Sequence, residues 1–315
     1  MSKRGNGLKV AIQIDPIETL NAASDTGLAI IEGAASRGHI CECYAPESMA
    51  RQSKSVTALC YSPAHDCESN IWRGGEKTRK KLEEFDVILV RQNPPYDMAY
   101  LTYAHMLRTI EDKTLILNDP AALCAFPEKI SPLLFPHYMP PTLVSKDEGA
   151  IKTFAREHGS IVLKPLYNYG GSGVIKVDAN DERAIENFLR LQSCPVMAQR
   201  FLPQVTEKGD RRIMLIDGDV AGSVVRVPQS GSFIANMVRG GKATHAPLSE
   251  KEENLCAELK PFLQKNGLFL AGIDVIDGCL TEINVTSPTG FRPIAALDNP
   301  KIVDMFWEKI ERKFY

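Results

Sequence analysis

One stretch near the C-terminus, "AGIDVIDGCLTEINVTSPTG" at 271–290, constrains the fold more than any other. It reads as two adjacent strands. Asp274 lies in a run of Gly, Ile and Val. Glu282 and Asn284 flank Ile283 at a period of two, so both face one side of their strand. Apolar burial alone would not select these residues. Any fold for this chain must bring an acid on one strand against an acid and an amide on the next.

The chain before this pair divides by pattern. "LKVAIQID" (8–15) reads as a strand, "TGLAIIEGAASRGH" as a helix with Gly38 as its C-cap, and "HICECYA" as a second strand. That order predicts an α/β unit with parallel strands. "FDVILVRQ" (85–92) and "TLILND" are further strands on either side of a helical "MAYLTYAHMLRTIED". Residues 51–80 are polar and receive no element. The expectation is an N-terminal doubly wound α/β domain over 1–122, with loops gathered at the strand C-termini. A Pro-rich stretch at 136–149 marks a boundary, and the hairpin-rich remainder has α+β character. The expected divisions are 123–203 and 204–315, with a mobile loop at 230–242.

Bulk properties exclude several classes. The 315 residues suffice for two or three domains with substantial cores. The formal net charge of -2 gives no general attraction to nucleic acid or anionic membrane. No run approaches about 18 apolar residues, and the N-terminus lacks a signal-peptide pattern. None of the eight cysteines forms a C-x-x-C pair. These features predict a cytoplasmic protein with no nucleic-acid or membrane partner.

Four constellations carry chemistry. In "VLKPLYNYGGSGV" (162–174) a buried strand delivers Lys164 just before Gly170, Gly171, Ser172 and Gly173. Glycines let backbone N–H groups crowd an anion, and the lysine adds a point charge on phosphate. The glycines alone would read as a hairpin turn. In "VMAQRFLP" an apolar strand breaks at Gln199 and Arg200 before Phe201 and Leu202. This is a hinge able to read an adenine edge, or simply a strand end. Arg212 starts a strand and Arg226 sits within an apolar one. Each is either a clamp for a carboxylate or phosphoryl group or half of a structural ion pair. Finally, Asp274, Glu282 and Asn284 offer oxygen donors suited to a hard cation such as Mg2+, with Mn2+ as the alternative ion. The competing reading is that these acids pair with the arginines.

In order along the chain, "DPIETLN", "RQNPPYD", "PEK", "VLKPL", "GGSG", "AQRFLP", "KGDRRI", "VRVPQ" and "LTEINVTSPTG" resemble the ATP-grasp superfamily and, within it, the bacterial glutathione synthetase family. The resemblance runs from about residue 8 to 292 and implies an ATP-grasp fold. It implies an ADP-forming ligase that joins γ-glutamylcysteine to glycine through an acyl phosphate. By position it implies that Lys129 and Lys164 contact ATP phosphates, and that Gln199, Arg200, Phe201 and Leu202 line the adenine site. Asp210 would lie near the ribose. Asp274, Glu282 and Asn284 would hold the metal, and Arg212 and Arg226 would stabilise the acyl phosphate. Asn284, Ser287 and Thr289 would approach the peptide substrate. The resemblance also implies a homo-oligomer, dimer or tetramer. Asn93, Ile234 and Pro293 depart from the residues usual in the family, an acid, an arginine and an acid. The alternatives left open are another ATP-grasp carboxylate–amine ligase and a nucleotide-binding protein without catalysis.

Overall fold

The structure is a computed structural model and describes residues 7–66, 68–229, 231–235 and 242–315. Cys67 and most of the loop expected at 230–242 lie outside the described residues.

The N-terminal part begins with β1 (Lys9–Ile14), α1 (Thr26–Ser36) and β2 (Ile40–Tyr44). Asp25 caps α1 by accepting from the Leu28 amide, and Gly38 follows the helix at φ 76°. β3 (Ala50–Gln52), β4 (Ser55–Cys60), β5 (Pro63–Asp66), β6 (Ile71–Gly74) and β7 (Thr78–Lys81) follow, in the region that received no element from the sequence. β3, β4 and β7 form one small sheet, and β5 pairs with β6. Only every second residue of β4, Val56, Ala58 and Cys60, is buried. The outer polar positions of these short strands mask the apolar signal. β8 (Val87–Arg91), α2 (Met98–Arg108), β9 (Leu115–Leu117) and α3 (Pro120–Ala125) complete this part. The main sheet, in order β2-β1-β8-β9, is parallel throughout. Its central strands are apolar on both faces, as helices covering a parallel sheet require.

The middle of the chain is a second sheet with helices. It comprises β10 (Thr142–Ser145), α4 (Glu148–His158), β11 (Ile161–Pro165), β12 (Ile175–Val177), α5 (Glu182–Arg190) and β13 (Val196–Arg200). The antiparallel order is β10-β13-β11-β12. Ile151, Phe154, Leu163, Ile185 and Ala198 share a core private to this unit. The Pro-rich boundary thus contributes β10 to the sheet. Pro140 and Pro141 precede the strand, so neither disrupts its ladder.

The last part comprises α6 (Gln204–Lys208), β14 (Asp210–Ile216), β15 (Asp219–Val227), β16 (Lys242–Thr244), α7 (Glu250–Lys265), β17 (Leu270–Ile276), β18 (Cys279–Asn284), α8 (Phe291–Leu297) and α9 (Ile302–Glu311). Its antiparallel sheet runs β16-β15-β14-β17-β18. Asp-Gly turns at 217–218 and 277–278, with all four φ angles positive, close the β14–β15 and β17–β18 hairpins. One sheet face packs Ile213, Leu215 and Ile273 with Val56 and Tyr100 of the N-terminal part. The other packs Met214 and Val224 with Ile12, Ile30 and Trp307. The first and last parts therefore share their cores.

Candidate active site

Strand register assembles a row of charges. Asp210 pairs with Arg226 across β14–β15, Arg212 with Asp274 across β14–β17, and Asp274 with Glu282 across β17–β18. Like charges directly opposite, as at Asp274 and Glu282, need cations nearby. Arg212 supplies one, through Nε to Asp274 Oδ1 at 2.6 Å and Nη2 to Oδ2 at 3.1 Å. Arg226 Nη2 adds a contact to Asp274 Oδ1 at 2.9 Å and one to Asp210 Oδ2 at 2.5 Å. Lys129 Nζ meets Glu282 Oε1 at 3.0 Å. Asn284 Nδ2 donates to the Gly272 carbonyl at 3.0 Å and to Asp274 Oδ2 at 3.3 Å. The ion-pair reading of Asp274, Arg212 and Arg226 thus describes their contacts in this structure.

Burial sets the electrostatics. Burial alone would raise the Asp274 carboxyl, but Arg212 and Arg226 outweigh it and hold it well below the usual range. Burial opposes the charge on Arg226, yet Asp210 and Asp274 raise it further. Asp210 is pushed up by burial and by Asp274, against the pull of Arg226. Lys164 is pushed below its ordinary value by burial.

These charges form one end of a cleft between the middle and last sheets. Lys164 on β11 points into it and donates to Gln199 Oε1 at 2.8 Å; Gln199 in turn donates to Thr142 at 2.9 Å. The loop from β11 to β12 lines the site, with Gly170, Gly171 and Gly173 at φ of 62°, 73° and 72°. A Cβ on Gly173 would meet Pro165 Cγ at 3.0 Å. The other end is apolar. Phe201 packs edge-on against Phe233 at 6.0 Å, with Lys176 Nζ 4.4 Å from the Phe201 ring.

Most of the residues expected from the sequence meet here. Lys129, Lys164, Gly170, Gly171, Ser172, Gln199, Arg200, Phe201, Leu202, Asp210, Arg212, Arg226, Asp274, Glu282 and Asn284 line the cleft. Three do not. Gly173 shapes the loop from behind, and Ser287 and Thr289 lie past Arg212, whose Nη1 donates to the Thr289 carbonyl at 2.9 Å. Ile234, beside Phe233, also lines the cleft.

Sequence reading missed several participants. The Glu128 carboxylate accepts from the Val285 and Thr286 amides at 2.9 and 3.0 Å and from the Thr286 hydroxyl at 2.8 Å. Burial and then the Glu282 charge raise its pKa. It fixes the end of β18 beside Lys129. Lys129 also donates to the Asn168 carbonyl, tying the glycine loop to the last sheet. Tyr167 of that loop stacks on Tyr96 at 5.8 Å. An acid next to a lysine in "PEK" was the sequence signal for Glu128; nothing local marks Asn168 or Tyr167.

Among the described residues, no group of three or more His, Cys, Asp or Glu side chains converges on a metal position. Asp274, Glu282 and Asn284 nonetheless present hard oxygen donors from adjacent strands at the cationic end. That fits an ion which takes one or two protein carboxylates and completes its shell with water and phosphate oxygens.

The family model for the prokaryotic glutathione synthetase N-terminal domain matches residues 8–124, and that for the prokaryotic glutathione synthetase ATP-grasp domain matches 128–299. The chain belongs to the prokaryotic glutathione synthetase family. A glutathione synthetase of Rhodopseudomonas palustris is 43% identical over 310 residues, covering 97% of this chain and 99% of the relative. One from Synechocystis is 37% identical over 321 residues, covering 98% of this chain and all of the relative. Among solved structures, D-cycloserine synthetase DcsG aligns with a TM-score of 0.70 at 14% identity, over 96% of this chain and 99% of that one. The macrocyclase MdnC aligns with a TM-score of 0.66 at 17% identity, over 97% and 100%. At such identities the likeness speaks to the fold, and the fold of this glutathione synthetase family member is the ATP-grasp. Among the described residues no helix is long and apolar enough to cross a membrane.

Proposed function

We propose that the cleft performs the ligation for which the family is named: ATP, γ-glutamylcysteine and glycine yield glutathione, ADP and phosphate. The observation that carries this reading is the convergence of Arg212, Arg226, Lys129 and Lys164 at one end of a cleft whose other end is apolar. A nucleotide lies along such a cleft, base among Gln199, Arg200, Phe201 and Leu202 and phosphates toward the cations. Asp210 Oδ1, buried without a partner among the described residues, is the acceptor offered to the ribose.

In the first step an oxygen of the cysteinyl carboxylate attacks the γ-phosphorus, and the bond to the ADP oxygen breaks. Two anions approach one another, so fixed cations matter more than a general base. Lys129 and Lys164 bind the phosphates, while Arg212 and Arg226 face the acyl phosphate. The glycine amine then attacks the acyl carbon, loses a proton, and phosphate leaves. Asp274, Glu282 and Asn284 would hold a divalent cation, read as Mg2+ with Mn2+ as the alternative; when bound it neutralises phosphate charge. Asn284, Ser287 and Thr289 face the peptide side.

The reading extends to a homo-oligomer in the cytoplasm. The seven cysteines among the described residues are all free, which supports a reducing compartment. The chemical path has a direct test. γ-Glutamylcysteine carrying 18O in its cysteinyl carboxylate should deliver one label to inorganic phosphate. Unlabelled phosphate alongside labelled glutathione would rule out the acyl-phosphate route.

A further inference from the structure

The turn at 287–289 is held by side chains from outside it, most of them from the N-terminal part. Before the turn, the Asn118 amide donates to the Val285 carbonyl at 2.7 Å, and Glu128 accepts from the Val285 and Thr286 amides. After it, the Thr26 hydroxyl oxygen accepts from the Gly290 and Phe291 amides at 3.1 and 3.3 Å. Between these anchors, Arg91 Nη2 donates to the Pro288 carbonyl at 2.9 Å, and the Ser287 hydroxyl donates back to the Arg91 carbonyl at 3.2 Å. Arg212 Nη1 takes the next carbonyl, that of Thr289. Two guanidinium groups thus grip consecutive carbonyls, Arg91 from the end of β8 and Arg212 from the cleft.

Arg91 is badly placed for a purely structural residue. It is 4% exposed, and its Nε and Nη1 are buried without a partner among the described residues. One hydrogen bond does not recover the desolvation of a guanidinium, and an apolar side chain of similar length would avoid that cost. What an apolar side chain could not supply is the grip on the Pro288 carbonyl. Thr289 is exposed and Ser287 half-buried, so the turn has a surface to offer, with Arg91 behind it.

We propose that Arg91 is a positioning residue for the ligase, fixing the 287–289 turn through the Pro288 carbonyl in the shape that meets the peptide substrate. The proposal rests on the reading above that this turn approaches γ-glutamylcysteine.

The experiment compares Arg91→Met and Arg91→Lys with the unaltered enzyme by three readouts: kinetics in each substrate, thermal melting, and hydrogen exchange of the 285–291 amides without ligands. Arg91→Met should melt no lower than the parent and raise KM for γ-glutamylcysteine by about tenfold or more, with KM for ATP within about twofold. Arg91→Lys keeps the charge and a donor and should recover part of that loss. Exchange at 285–291 should quicken about tenfold in Arg91→Met and stay unchanged in β11. Unchanged peptide KM with unchanged exchange overturns the proposal. So does a lower melting point with equal losses for every substrate, the mark of a structural role. If the parent itself fails to ligate γ-glutamylcysteine and glycine, the functional reading fails separately. The exchange result then decides whether Arg91 holds the turn.

Discussion

Arg212 grips Asp274 with two hydrogen bonds, at 2.6 and 3.1 Å, across strands β14 and β17, and Arg226 reaches the same carboxylate from β15. One acid therefore faces two buried guanidinium groups, and Asp210 is the second acid on Arg226. Asp274→Asn removes the carboxylate partner of Arg212 and leaves Arg226 with Asp210 alone. It should cost about 3–5 kcal/mol of stability and lower turnover by about a hundredfold or more. Denaturant unfolding and ADP release check the two halves. A variant within about 1 kcal/mol of the parent would show that the three residues do not act as a unit.

The same trio fixes a pH window. Asp274 is held below its ordinary value in the fold, whereas in the unfolded chain it titrates near about 3.9. A depressed acid contributes stability that is present above the unfolded pKa and lost as pH falls through the folded one. The stability gap between the parent and Asp274→Asn should hold steady from neutrality to about pH 5 and narrow below about pH 4. Unfolding curves at several pH values measure it, and a gap that widens on acidification contradicts the assignment.

Lys164 gives an alkaline counterpart. Burial lowers its pKa, and phosphate prefers the charged form. ATP affinity should fall with rising pH, beginning below the ordinary lysine value of about 10.4. Lys164→Arg should move that fall to higher pH, because a guanidinium stays protonated. Calorimetric titration across pH tests this; identical profiles would remove Lys164 from the phosphate site.

Glu128 carries the end of β18. Glu128→Ala leaves the Val285 and Thr286 amides and the Thr286 hydroxyl without their acceptor. The expected loss is about 2–4 kcal/mol, and Glu128→Gln, which keeps an acceptor oxygen, should lose clearly less. Equal melting points for the two variants would mean that the hydrogen bonds are not what holds this segment.

Much of this arrangement was legible in the sequence because it lies within single strands. The period-two placement of Glu282 and Asn284 puts both into the cleft, and the lysine before the glycines reaches it from β11. What stayed hidden depends on contacts between distant segments. Arg226 and Asp274 share charge only because β14 separates their strands with the observed register. Asn168 engages Lys129, and Tyr167 engages Tyr96, through loop geometry that no local pattern encodes. The 51–80 region failed for a different reason. Its strands are short, and in β4 only alternate residues are buried, so no apolar run announces them.

The central claim is that this cleft couples ATP cleavage to formation of a peptide bond. The most direct measurement is ADP release by the purified protein with ATP, a divalent cation, γ-glutamylcysteine and glycine, omitting each substrate in turn. The account predicts sustained ADP release, beyond one equivalent per enzyme, only when both γ-glutamylcysteine and glycine are present, with glutathione appearing in equal amount. Sustained ADP release without either substrate, or none with both, would contradict it.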